Sequence, residues 1–175
     1  IPFDLELLNT ITKGGLPNKS LTIIAASTGA GKSLFMSHHA ANCLSLGKNV
    51  LYITLEMAEK RIAERIDANL FDLDIADINN IPKDLFESKI NKLKTKTNGR
   101  LIIKEYPTSS AHVGHFRALL NELKEKKDFK PQVIIIDYVN ICSSARLRMG
   151  GSINTYSYIK AISEELRGLA VEFDV

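Results

Sequence analysis

The apolar segment Leu21–Ala26 runs without a break into Ser27-Thr28-Gly29-Ala30-Gly31-Lys32-Ser33, and a helix-forming stretch follows at once. A strand, a turn of small residues and a helix start in that order leave few folds open. Small residues let successive backbone N–H groups point inward around an anion. Lys32 then reaches the β- and γ-phosphates of a nucleotide, and the Ser33 hydroxyl holds Mg²⁺. The new helix adds its positive N-terminal end at the same spot. The contacts expected for a bound nucleotide are therefore Ser27, Thr28, Gly29, Ala30, Gly31, Lys32, Ser33 and Leu34. The first Gly of the usual phosphate-loop pattern is replaced by Ala26, so the bare motif is imperfect. A dinucleotide fingerprint fails outright, because Leu34 stands where its third Gly belongs.

The rest of the chain repeats the alternation that this stretch begins. Leu21–Ala26, Val50–Leu55, Leu101–Ile103 and Val133–Ile136 are apolar runs without polar alternation, which predicts strands covered on both faces of a parallel sheet. Between them lie helical patterns. Ser33–Leu46 is followed by Gly47, placed as a helix C-terminal glycine. Ala58–Leu70 carries Ile62, Ile66 and Leu70 on one face. Phe86, Ile90 and Leu93 mark a helix opened by Pro82 and closed near Asn98-Gly99. Val113, Phe116, Leu120 and Leu123 mark another, and Thr155, Ile159, Ile162, Leu166, Leu169 and Phe173 the last. Strand and helix alternating throughout predict one α/β layered domain with right-handed crossovers.

Composition narrows the class further. At 175 residues the chain buries enough surface to fold without disulfides or a structural metal. Cys43 and Cys142 form no motif, which fits a reducing compartment. No apolar run approaches the ~18 residues of a membrane-spanning helix. The chain opens on Ile1 rather than Met, as a segment or processed product would. Twenty-three Lys and Arg against twenty Asp and Glu give a net charge of +3, far from a histone-like binder. Residues 53–80 hold seven acids and three bases, and residues 83–104 seven bases and two acids; both read as solvated helical faces. Residues 141–160 hold Arg146, Arg148 and Lys160 and no acid, so this window reads as a basic loop leading into a helix.

Two acids complete the constellation. Val133–Ile136 ends on Asp137, where nucleotide hydrolases of this architecture keep an Asp that orients Mg²⁺ and its water. Val50–Leu55 ends on Glu56. If the strands are parallel, their carboxyl ends share the edge at which open α/β sheets bind ligands. Lys32, Ser33, Glu56 and Asp137 then converge, and Glu56 becomes the candidate base for the attacking water. General-base help of this kind is worth about 10²–10⁴ in rate.

Thr54-Leu55-Glu56-Met57 resembles the Ser-Leu-Glu-Met motif of DnaB-type replicative helicases, and Asp137-Tyr138-Val139-Asn140 resembles their Asp-Tyr-Leu-Gln. Ala at the first loop position is common in that family. Ile11-Thr12-Lys13-Gly14-Gly15, Arg65-Ile66-Asp67-Ala68-Asn69 and Ala161-Ile162-Ser163-Glu164-Glu165-Leu166-Arg167 resemble in particular its members from T-even-type phages. The resemblance implies a RecA-like P-loop ATPase core and a homo-hexameric ring that encircles single-stranded DNA. It also implies 5′→3′ movement driven by ATP and Mg²⁺, and a primase and a helicase loader as partners. The location implied is the cytoplasm, that of the host if a phage encodes the chain. Carried over, Lys32 and Ser33 contact phosphate and Mg²⁺, Glu56 is the catalytic base and Asp137 the Mg²⁺-orienting acid. In the family a polar sensor, a DNA-contacting loop and an arginine finger come after the point reached by Val175, and a primase-interacting domain precedes the motor. Residues 1–175 are thus expected to be an incomplete motor domain, weak in hydrolysis on its own.

Other residues invite smaller claims. His112 and His115 have helical spacing without a neighbouring carboxylate or thiol, so they read as helix-face histidines; His38 and His39 read as structural or exposed. Arg146 and Arg148 are candidate contacts to DNA phosphate. Asn140 stands where the family has Gln, with no physical consequence that follows from the residue alone. Rival readings are a P-loop kinase, which needs an arginine-rich lid, a nucleotide-gated assembly module, and a RecA- or KaiC-like recombinase of the same fold.

Overall fold

The computed structural model describes residues 1–78, 80–108, 110–147 and 154–175. In chain order these form α1 (Glu6–Ile11), α2 (Lys32–Ser45), β1 (Val50–Thr54), α3 (Glu59–Phe71), α4 (Lys83–Lys96), β2 (Leu101–Glu105), α5 (Val113–Lys127), β3 (Val133–Asp137), a single 3₁₀ turn (Val139–Ile141) and α6 (Thr155–Phe173). The sheet is parallel, in the order β2-β1-β3. Each crossover carries at least one helix, as parallel pairing requires.

β1 is the centre of the molecule. All five of its residues are buried, as expected for a strand that is β-branched or apolar almost throughout and has a partner on either side. Alternation divides its side chains between two cores. Val50 and Tyr52, with Val133 and Ile135 of β3, meet Ala40 and Cys43 of α2 and Ile62 and Ile66 of α3. Leu51 and Ile53 meet Phe116 and Leu120 of α5 and Ile162 and Leu166 of α6 on the other face. A smaller cluster lies beyond the sheet, where Phe71 and Phe86 pack edge to face at 5.3 Å and fasten α4 to the end of α3. Helix ends follow their sequence signals. Gly47 is left-handed (φ 75°) and its N–H reaches the Leu44 carbonyl at 2.9 Å, so α2 stops there. The Asn154 side chain accepts the Ser157 N–H at 2.8 Å and starts α6.

Several expectations need correction. Leu21–Ala26 is not a strand: it lies outside the sheet, with Ile23 57% and Ile24 40% exposed. An apolar cavity of about 210 Å³ separates Leu21–Ile24 from Val133–Ile136 of β3, so no ladder of hydrogen bonds joins them. β2 is only half-buried, although Leu101 and Ile103 pack against one core and Ile102 against the other. The short α1 and the turn after β3 carry no periodicity long enough to be read from sequence. His112 is the N-cap of α5 and not a face residue: its Nδ1 accepts the Gly114 N–H at 3.0 Å, while the His115 ring accepts the His112 N–H at 3.3 Å. His39 is buried against Phe3 and stacks on Phe35 at 6.4 Å, and burial lowers its pKa. His38 bridges Asn69 and Asp4 on the surface. Among the described residues no helix is long and apolar enough to cross a membrane.

The division of β1 between two cores predicts unequal costs. Ile53→Ala should destabilise by about 2–5 kcal/mol, since it opens a cavity in fully packed surroundings. Asn154→Ala, which removes only a helix cap, should cost about 1 kcal/mol. Urea unfolding compares them; equal small losses for both would mean that β1 is not the structural centre.

Candidate nucleotide site

The loop between Ala26 and α2 is built by its two glycines. Gly29 (φ 78°) and Gly31 (φ 91°) occupy the left-handed region, where a Cβ is disfavoured. Gly31 is also the N-cap of α2 and supplies no capping side chain, and no acid stands in the first turn. The opening N–H groups of α2 are therefore left to water or to an anion. Lys32 turns back across the loop and donates to the carbonyl oxygens of Ala26 (2.9 Å) and Ser27 (2.8 Å). A cation is thus held over an exposed curl of backbone, an arrangement that can receive an anion.

Parallel register supplies the acids. Thr54 of β1 lies beside Asp137 of β3, and one further ladder bond, from Leu55 N–H to the Asp137 carbonyl, has a length of 2.9 Å. The Thr54 hydroxyl then turns the chain: it donates to the Met57 carbonyl (2.8 Å) and accepts the Met57 N–H (3.1 Å), leaving Glu56 exposed at the bend. Asp137 is only 2% exposed, and its peptide bond to Tyr138 is cis. Its Oδ2 accepts a hydrogen bond from the Tyr52 hydroxyl at 3.1 Å. Glu56 and Asp137 share one edge of the sheet, and α2, which starts at Lys32, packs on β1 and β3. Among the described residues, none of the Lys32, Ser33, Glu56 and Asp137 side chains hydrogen-bonds another of the four. The hydroxyl of Ser33 and the carboxylate of Asp137 are hard oxygen donors of the kind Mg²⁺ prefers, so the donor set fits that ion. Leu34 is 56% exposed beside the loop. Tyr52 and Ser37, which link these elements, were not singled out from sequence; the available signal was a lone hydroxyl-bearing ring in an aliphatic strand.

Arg146 is tied to α6. Its guanidinium reaches Glu165 at 3.2 Å, Glu164 at 3.0 Å and the Ala161 carbonyl at 3.1 Å. Burial pushes the Glu165 carboxyl up, but hydrogen bonds from Ser144, Ala145 and Arg146 outweigh it and leave the group below its ordinary range. The acid-free window thus finds its acids one turn beyond its end. Arg148 lies outside the described residues.

Comparison with known proteins places this architecture. The family model described as "DnaB-like helicase C terminal domain" matches residues 1–175. A "DnaB-like replicative helicase" of Enterobacteria phage T4 is 50% identical over 98% of the chain, which corresponds to 37% of that protein. Solved structures agree in fold: a DnaB-like replicative helicase studied with its primase interactions has a TM-score of 0.66 at 21% identity, over 90% of this chain and 37% of its own. A second solved structure, of an ATPase domain, has a TM-score of 0.63 at 20% identity, over 85% of this chain and 51% of its own. The chain spans little more than a third of the curated T4 relative. With a RecA-like α/β core, a glycine loop followed by Lys32 and Ser33, and a family model that matches all 175 of its residues, the chain belongs to the DnaB-like helicase family, within its C-terminal domain.

Proposed function

We propose that residues 1–175 form part of the motor of a replicative DNA helicase, which binds ATP with Mg²⁺ and couples its hydrolysis to 5′→3′ movement along single-stranded DNA. The observation that carries this reading is that α2, which opens on the Gly29–Ser33 loop, packs on β1 and β3, the strands that lead to Glu56 and Asp137, in a chain half identical to a phage replicative helicase. In this reading the loop N–H groups and Lys32 bind the phosphates, and Lys32 exchanges the Ala26 and Ser27 carbonyls for phosphate oxygens. Ser33 and Asp137 would hold Mg²⁺, and the bound ion would supply positive charge to the phosphates. Glu56 accepts the proton of the attacking water; its exposed place beyond β1 leaves it free to approach that water.

The assembly is proposed as a homo-hexameric ring around the DNA strand, partnered by a primase and a loader. A ring needs few cations per subunit, because each is repeated around the strand, which fits the net charge of +3. Arg146 and Arg148 are the proposed strand-tracking cations of this segment. For Arg146, DNA phosphate must take the guanidinium from Glu164 and Glu165. The kinase and assembly-switch readings do not require a water-activating Glu, and against a recombinase of the same fold only the Thr54-Leu55-Glu56-Met57 and Asp137-Tyr138-Val139-Asn140 motifs speak.

In the full-length protein, Lys32→Ala should weaken ATP binding roughly 10- to 100-fold, the worth of hydrogen bonds to a charged group. Glu56→Gln should retain ATP binding while turnover falls about 10²–10⁴-fold and displacement of a strand from a 5′-tailed fork is lost. Unchanged turnover in Glu56→Gln would remove Glu56 from the reaction. For DNA, Arg146→Ala should lower the slope of log affinity against log salt by about one; an unaltered slope would leave Arg146 as a clip for α6.

A further inference from the structure

The two groups proposed to share one cation, the Ser33 hydroxyl and the Asp137 carboxylate, belong to different elements, and a buried polar chain joins those elements. Asp137 Oδ2 accepts from the Tyr52 hydroxyl at 3.1 Å. The Ser37 hydroxyl donates to the Ser33 carbonyl oxygen at 2.9 Å, and its oxygen lies against the same phenol. Ser37 and Tyr52 are wholly inaccessible to solvent. Ser37 of α2, Tyr52 in the middle of β1 and Asp137 at the end of β3 thus lie together away from water.

Register explains how it closes. Tyr52 pairs with Ile135 and Thr54 with Asp137, so Tyr52 and Asp137 are diagonal neighbours on one face. That face is the one covered by α2, which brings Ser37 over the ring. The ring of a Phe would fill the same space. The hydroxyl adds only a polar atom whose burial is costly unless it is hydrogen-bonded, so its partners give it a role that packing does not. A carboxylate turns easily about its last torsion; with Oδ2 engaged by Tyr52, that rotation is stopped. Among the described residues no other side chain donates to Asp137.

We propose that Tyr52, backed by Ser37, is a positioning residue that fixes the Asp137 carboxylate relative to Ser33 and so sets the spacing of the cation site. The proposal rests on the reading of Ser33 and Asp137 as the groups that hold Mg²⁺. Removing a partner that orients a metal ligand typically changes metal affinity 10- to 100-fold.

The test compares Tyr52→Phe, Ser37→Ala and Asp137→Asn in the full-length protein. Two measurements are made: equilibrium binding of a fluorescent adenine nucleotide while Mg²⁺ is titrated, and urea unfolding without nucleotide. Tyr52→Phe should raise the Mg²⁺ midpoint roughly tenfold. Its nucleotide affinity in EDTA should stay near wild type, which a merely structural role would not allow, while its urea midpoint falls because the buried Asp137 carboxylate loses a donor. Ser37→Ala should shift the Mg²⁺ midpoint in the same direction, by about two- to threefold as a more distant link. A wild-type Mg²⁺ midpoint in Tyr52→Phe, with a shifted one in Asp137→Asn, overturns the role of Tyr52 alone. A wild-type midpoint in Asp137→Asn overturns the cation site and this proposal with it. If Tyr52→Phe loses its urea transition, Ser37→Ala decides: an unshifted midpoint there overturns the proposal.

Discussion

The parallel pairing of β1 with β3, Thr54 beside Asp137, is the constraint on which the rest of the molecule depends. Two parallel strands cannot be joined by a tight turn, so the chain must leave the sheet and return through helices. Those helices cover both faces, which is why β1 is buried throughout and why its side chains divide between two cores. The same direction sends every strand's carboxyl end to one edge. Glu56 and Asp137 are near each other for that reason and no other, since eighty residues of intervening chain do nothing to hold them together. A slip of one residue between β1 and β3 would turn Asp137 toward α5 and α6 and away from the helix that begins at Lys32.

Much of this was written in the residues, and the exceptions have physical causes. Val50–Thr54 and Val133–Asp137 read as buried strands because nothing in either tolerates water until the terminal polar residue. Gly47 and the steps of three and four along Thr155–Phe173 marked helices to within a residue or two. Leu21–Ala26 misled because an apolar run reports a preference for leaving water, not the partner that satisfies it. Here that preference is met only in part, by a cavity beside β3, and Ile23 and Ile24 stay substantially exposed. His112 misled in another way: spacing places a ring on a helix, but only its hydrogen bond to Gly114 tells a cap from a face. At the site, the loop, Glu56 and Asp137 were legible as motifs. The Tyr52 contact was not, because it depends on register between strands 85 positions apart.

The state of Lys32 ties the loop to its charge. Two carbonyl oxygens from Ala26 and Ser27 solvate the ammonium, so the loop is folded around its own cation. Gly29 and Gly31 make that curl possible without strain, and the first turn of α2 contributes no acid that would compete for Lys32. On the proposed reading, a phosphate chain arriving there would exchange carbonyl dipoles for full negative charge at the same ammonium, while the loop backbone is already curved. Binding then costs little reorganisation of the main chain, a form of preorganisation that leaves more of the contact energy as affinity.

Buried polar residues give the strongest argument that this face of the sheet serves more than packing. Ser37, Thr54 and Asp137 are among the few polar residues that the core encloses, and Tyr52 adds its hydroxyl to them. Each costs desolvation that an apolar substitute would avoid, and polar groups inside a core often stabilise no more than hydrophobic ones of like volume. They are not scattered: Ser37 and Tyr52 lead from α2 to Asp137, and Thr54 turns the chain so that Glu56 emerges at the same edge. The opposite face, packed on α5 and α6, is lined from β1 by Leu51, Ile53 and Leu55. A sheet optimised for stability alone has no reason to differ so between its faces. The asymmetry follows if one face must hold a carboxylate at a fixed distance from the start of α2, and the other need only keep β1 where it is.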